Sequence, residues 1–224
     1  MSNIIPAPKS KSRKKKIVKD GCEGEDIISK LPDNILHYIL SFLPTQYVLR
    51  TSVLSKRWMC LWTSISIINF DENDYFNDNT WLRYMPENVE ASFLNSVDRV
   101  LNRHDPTCIQ KFRLVAMLCV IISTSRIHSW VSTALSHKVQ ELDLSLPAES
   151  VYMFPNSLFS AESLSTLKLK TYSKLEVPSL IHFPNLKTLH LAVEFPDDRS
   201  AQQIFSGCPV LQEFAFNKLQ LEAY

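Results

Sequence analysis

From residue 109 onward one short pattern returns five times. The frame apolar-x-x-apolar-x-apolar is set by Ile109/Phe112/Leu114, Val139/Leu142/Leu144, Leu164/Leu167/Leu169, Leu186/Leu189/Leu191 and Leu211/Phe214/Phe216. Successive first positions lie 30, 25, 22 and 25 residues apart. The last positions of each frame alternate with polar residues, which is the period of a strand with one buried face. A unit this short cannot hide its apolar face alone, so neighbouring units must stack and share one core. The longest step holds Ile127, Trp130, Val131, Ala134 and Leu135 at helical spacing, which predicts a helix packed behind the first two strands. The framed leucines are therefore core. The side chains between them face outward: Lys111 and Arg113; Glu141, Asp143 and Ser145; Thr166, Lys168 and Lys170; Thr188, His190 and Ala192; Glu213, Ala215 and Asn217. That face is banded: basic, acidic, basic, near-neutral, weakly acidic. Two readings stand. The residues are solvated strand positions, or they form a binding face. A uniform polyanion would be repelled at the second band, so a protein with alternating charges fits such a face better.

A second stretch, Leu31 to Trp62, has a different period. Leu31, Ile35, Leu36, Ile39, Leu40 and Leu43 fall at helical spacings and form one wide stripe. Pro32 suits a helix start, and Asp33 puts negative charge in the first turn. Pro44 cannot continue the helix. Thr45 reads as the N-cap of a second short helix through Tyr47, Val48 and Leu49, and Ser55 as that of a third carrying Trp58, Leu61 and Trp62. About 35 residues have too little interior for so many large apolar side chains. Each one left in water forgoes roughly 1.5–3 kcal/mol. The surplus needs a partner surface, either the rest of this chain or another polypeptide.

These residues carry a resemblance. Leu31-Pro32-x-x-Ile35-Leu36-x-x-Ile39-Leu40-x-x-Leu43-Pro44, followed by Arg50 through Trp58 and then Leu61-Trp62, is similar to an F-box. The form is that of the large plant family of F-box/leucine-rich-repeat proteins. Gln46-Tyr47 and Met59-Cys60 depart from the charged, basic or polar residues usual there. Cys208-Pro209-Val210-Leu211-Gln212-Glu213-Phe214 resembles that family's recurrent Cys-Pro-x-Leu-x-x-Leu segment, and the repeat period lies near the leucine-rich range. The asparagine or cysteine that commonly follows each frame is missing: Ala148, Ser173, Phe195 and Gln220 stand there.

The resemblance implies an α/β fold, with a three-helix F-box followed by an irregular leucine-rich-repeat solenoid. The solenoid would be a curved parallel sheet with helices or loops behind it. Expected boundaries are a disordered basic tail at 1–25, the F-box at 26–66, a linker and helix at 67–108, and about five repeats at 109–224. The family usually continues with further repeats and often an FBD domain, so the chain reads as a C-terminally truncated member. The implied function is substrate recognition in an SCF ubiquitin ligase. Leu31, Pro32, Ile35, Leu36, Ile39, Leu40, Leu43, Pro44, Val53, Leu54 and Trp58 would dock on a Skp-type linker, and through it on a cullin. The repeat face, centred on Lys111, Arg113, Glu141, Asp143, Thr166, Lys168, Lys170, His190 and Glu213, would hold a target protein. The alternative is a non-degradative protein that occupies the linker as a competitor.

Elsewhere the sequence mainly excludes. Lys9, Lys11, Arg13 to Lys16 and Lys19 make a basic tail that serves as a nuclear import signal or simply as a solvated end. No aromatic residue is interleaved with them, so nucleic-acid binding is not expected. Residues 64–90, rich in Asn and Asp, read as an irregular link without calcium-loop spacing. Phe93, Leu94, Val97, Val100 and Leu101 mark an amphipathic helix ending near Asp105-Pro106. The longest apolar run, Leu114 to Ile122, is too short to span a bilayer and reads as a buried strand. Five cysteines without a C-x-x-C pair suit a reducing compartment, nucleus or cytoplasm. Three glycines cannot build a phosphate loop, and six scattered histidines give no metal spacing. No cofactor, metal, membrane contact or enzymatic activity is expected.

Overall fold

The computed structural model describes residues 28–76, 87–105, 109–117, 120–147 and 151–217. The basic tail, the turn-forming residues from Asn77 to Asn79, Pro86, Ala148 and Gln220 lie outside them. Two units are distinguished, Met1–Leu31 and Pro32–Tyr224. In the first, the described residues form a 3-10 turn over Ile28–Lys30, closed by the Leu31 N–H on Ile28 O.

The second unit begins with three short helices: α1 (Asp33–Leu40), α2 (Thr45–Thr51) and α3 (Lys56–Leu61). Pro32 and Pro44 occupy the residues just before α1 and α2, where a missing N–H costs nothing. Ser55 caps α3, accepting from Trp58 N. Thr45 is not a cap. It is the first residue of α2, buried, and its hydroxyl accepts from Asn69 N at 2.7 Å.

A parallel sheet follows: β1 (Ile67–Asp71), β2 (Lys111–Val115), β3 (Glu141–Leu146), β5 (Thr166–Leu175), β6 (Thr188–Glu194) and β7 (Glu213–Phe216), side by side in that order. The two-residue β4 (Val151–Tyr152) pairs with the far end of β5. Helices α4 (Glu72–Phe76), α5 (Glu87–Arg103), α6 (Thr124–Ser136) and α7 (Asp198–Ser206) complete the unit. In the first four framed units every framed residue is buried, from Ile109 to Leu191. One carbonyl per repeat links it to the next. Ser66 O accepts from Gln110 and Lys111 N, Gln110 O from Gln140 and Glu141 N, Gln140 O from Ser165 and Thr166 N, Ser165 O from Lys187 and Thr188 N, and Lys187 O from Gln212 and Glu213 N. This ladder is made by the backbone, and one asparagine side chain adds to it, Asn185 Nδ2 donating to Glu162 O at 2.8 Å.

Two expectations are corrected. The segment at 64–90 is not an irregular link throughout, because β1 lies within it and carries the same frame: Ile65, Ile68 and Phe70, all buried. Leu114 to Ile122 is not one strand. β2 ends at Val115, and the buried Glu72 carboxylate takes Met117 N at 2.6 Å, turning the chain out of the sheet. Helix α5 falls where the amphipathic pattern placed it, and α6 likewise, with Trp130 Nε1 donating to Asp98 at 2.6 Å. At β7 the frame is half open. Phe214 and Phe216 stand opposite Leu189 and Leu191 but remain exposed, since among the described residues β7 has a neighbouring strand, β6, on one side only. At the end of α7, Gly207 sits so close to Ile181 that an added Cβ would lie 2.8 Å from its carbonyl oxygen.

Candidate protein-binding surfaces

The helical stripe of α1 resolves into two faces. Leu36 and Leu40 point inward and, with Val48, Trp58, Leu61 and Trp62, form the core of the helical unit. Ile35, Ile39 and Leu43 point outward, together with Tyr38 and Phe42, whose rings meet edge to face at 4.9 Å. On the α2–α3 turn, Val53 is 86% exposed and Leu54 64%. Of the eleven residues expected to dock on a linker, Pro32, Ile35, Ile39, Leu43, Val53 and Leu54 are exposed and Pro44 is half-buried. Leu31 belongs to the preceding unit. Leu36, Leu40 and Trp58 are corrected: they are core, because a helix packed on one face sequesters the residues three and four apart on that face. The sequence reading missed Tyr38, Phe42, Tyr47 and Met59, all exposed. Their signal was apolar side chains on the other side of a helix already supplied with a core stripe.

Polar contacts tie these helices to one another and to α4 and α5. His37 Nε2 lies 3.2 Å from both Leu61 O and Ser64 Oγ. Gln46 donates to Asp74 O at 2.6 Å, so its departure from the family pattern serves a buried tie to α4. His104 Nε2, at the end of α5, donates to Ile65 O at 2.8 Å, and Asp105 N to Thr63 O at the same distance. Arg57 pairs with Asp33 on the surface, where such a pair is worth little.

The second surface is the polar face of the sheet. Register aligns Arg113, Asp143, Lys168 and His190 in one row, and Lys111, Glu141, Thr166, Thr188 and Glu213 in another. Every candidate of the banded face thus lies on the face opposite the core. The bands largely neutralise one another at the β1–β3 side. Lys111 donates to Glu141 at 2.7 Å. Arg113 donates to Asn69 and Asp71 at 2.9 and 3.0 Å and lies 3.7 Å from Asp143. His190 Nε2 donates to Glu213 at 2.9 Å. Burial, and then the neighbouring Asp71 carboxylate, hold the Asp74 carboxyl above its ordinary value. Among the described residues no group of three His, Cys, Asp or Glu side chains converges as a metal site.

Residues 28–70 match the F-box domain family, and residues 127–223 match the leucine-rich repeats of the FBD-associated F-box protein At5g56370. The Arabidopsis thaliana F-box/LRR-repeat protein At4g14103 is 34% identical over 203 residues, which is 88% of this chain and 50% of that protein. The F-box/FBD/LRR-repeat protein At3g52680 of the same plant is 37% identical over 196 residues, 85% of this chain and 40% of that one. The chain spans half or less of the length of these relatives.

Proposed function

The chain is an F-box joined to leucine-rich repeats of the plant F-box/leucine-rich-repeat family, and on that premise we propose that it is the substrate-recognition adaptor of an SCF-type ubiquitin ligase. The observation that carries this reading is the outward apolar rim of Ile35, Ile39, Phe42, Leu43, Val53 and Leu54. Contiguous apolar side chains left in water on a unit that already has its own core are a partner surface. A Skp-type linker is the partner proposed, with the polar sheet face taking a target protein. The chain itself does no bond chemistry in this reading. It raises the effective concentration of target lysines near a ubiquitin-conjugating centre carried by another subunit.

Pull-down with a purified Skp-type linker tests the first half. Ile39→Glu combined with Val53→Glu should lower capture by at least about tenfold, because two buried apolar contacts are replaced by unpaired charge. The melting temperature should hold, since both side chains lie outside the core. Undiminished capture counts against this surface. The second half needs ubiquitination of a bound protein in a reconstituted ligase. Linker capture with no bound protein ever modified favours the competitor reading instead.

A further inference from the structure

We propose that the centre of the polar sheet face reads a short acidic segment of the target, in which carboxylates on alternate residues of an extended peptide meet Lys168 and Lys170. The proposal rests on the adaptor reading above and names the chemistry of its target.

The cations on this face differ in how they are engaged. Lys111 is held by Glu141, and Arg113 is shared between Asp71 and Asp143. On the far side His190 is turned to Glu213. Lys168 and Lys170 have no ion-pair partner among the described residues. Asp143, opposite Lys168 in register, is already engaged by Arg113 from its other side. Two adjacent positive charges on β5 therefore remain without a counter-charge of their own.

Their spacing selects the ligand. Residues two apart on a strand project to the same side about 6.6–6.8 Å apart. An extended peptide has the same repeat, so carboxylates at positions i and i+2 fall over both ammonium groups, whereas at i and i+3 they point to opposite sides. Beside the lysines lies a recess of about 220 Å³, lined also by Asp143, which Arg113 engages, by His190, and by the smaller side chains of Ser145, Ala192, Ala215 and Asn217. These small side chains let a peptide approach the sheet closely. The carboxylates of Glu141 and Asp143 on β3 and of Glu213 on β7 stand to either side across the sheet and confine the acidic segment to the line of β5.

The test uses the full chain co-purified with its Skp-type linker and fluorescein-labelled synthetic peptides read by polarisation. A Glu-x-Glu peptide should bind, with affinity falling as salt rises. A Gln-x-Gln peptide and a Glu-x-x-Glu peptide of equal charge should each bind roughly tenfold more weakly, as should Glu-x-Glu on the Lys168→Gln, Lys170→Gln double variant. Arg199→Gln, at an exposed site on α7 outside the polar sheet face, should leave binding unchanged. Equal binding of Glu-x-x-Glu, full retention by the double variant, or binding only of a phosphoserine peptide would each overturn the proposal. Linker capture is measured on the same samples. Its loss in the unmodified chain speaks against the adaptor reading, whereas capture without discrimination among peptides speaks only against this one.

Discussion

Cys208 and Cys60 show how placement decides the behaviour of one residue type. Cys60 sits exposed on α3. Cys208 follows α7, is buried, and its thiol donates to Ile204 O at 3.2 Å. Burial pushes that thiol up to about 11. The thiolate is the nucleophile, so Cys208 is almost wholly unreactive at neutral pH. Iodoacetamide at pH 7.5 should label Cys60 and spare Cys208, with Cys208 labelled only after denaturation. Peptide mass spectrometry reads both sites in one sample. Native labelling of Cys208 at a rate similar to Cys60 would show that the end of α7 opens to solvent. The Cys-Pro segment that resembled the family in sequence is thus a structural element, with its sulfur sealed by the last helix.

At the scale of elements, the frame made the sheet legible, and spacing made α5 and α6 legible. Strands β2, β3, β5 and β6 and their register follow from apolar residues that alternate with polar ones, whereas the two-residue β4 lies outside every frame. What escaped was β1. Its Ile65/Ile68/Phe70 frame lies far upstream of Ile109, and the dense Asn and Asp around it signal turns more strongly than three residues signal a strand. The two faces of α1 escaped for a different reason. Periodicity counts apolar residues on a helix without knowing which side meets a core, so Leu36 and Ile35 looked alike. The cap of α7 was also overlooked. Asp197 accepts from Ser200 N and Ser200 Oγ at 2.8 and 2.7 Å. These bonds, the hydroxyl first, hold its carboxyl below the ordinary carboxylate value of 3.8. A depressed carboxyl stabilises the fold fully above the unfolded value, and that contribution is lost as pH falls through the lower folded value. Asp197→Ala should therefore speed amide exchange in residues 198–206 at pH 7. The difference from the unmodified chain should shrink in acid, below the usual carboxylate range. Equal exchange of the two proteins at pH 7 would mean that the cap contributes nothing.

For the second unit as a whole, the question is whether the three short helices that carry the apolar rim fold together with the sheet. Hydrogen bonds run from the helices and the turn after them into the rest: Thr45 to Asn69 of β1, Gln46 to Asp74 of α4, and Thr63 and Ile65 to Asp105 and His104 at the end of α5. Strand β1 is the common wall. Phe70 is fully buried, packs edge to face on Phe93 of α5 at 6.1 Å, and lies in register with Leu114 of β2. In the proposed adaptor role such welding would keep a target on the sheet at a fixed position relative to the linker, which is what proximity catalysis by a separate subunit requires. Phe70→Ala should cost about 3–5 kcal/mol through lost burial and the cavity it leaves. If helices and sheet form one cooperative unit, that loss appears everywhere at once. Tryptophan emission, reporting Trp58 and Trp62 in the helices and Trp130 behind the sheet, should follow a single denaturant transition with a lowered midpoint. Amide exchange in α1 and in β3 should speed up by the same factor, and linker capture should fall in proportion to the unfolded fraction. A variant in which β3 loses protection while α1 keeps it would show that the helices fold as an independent module, with the geometry between rim and sheet set by a joint rather than by β1.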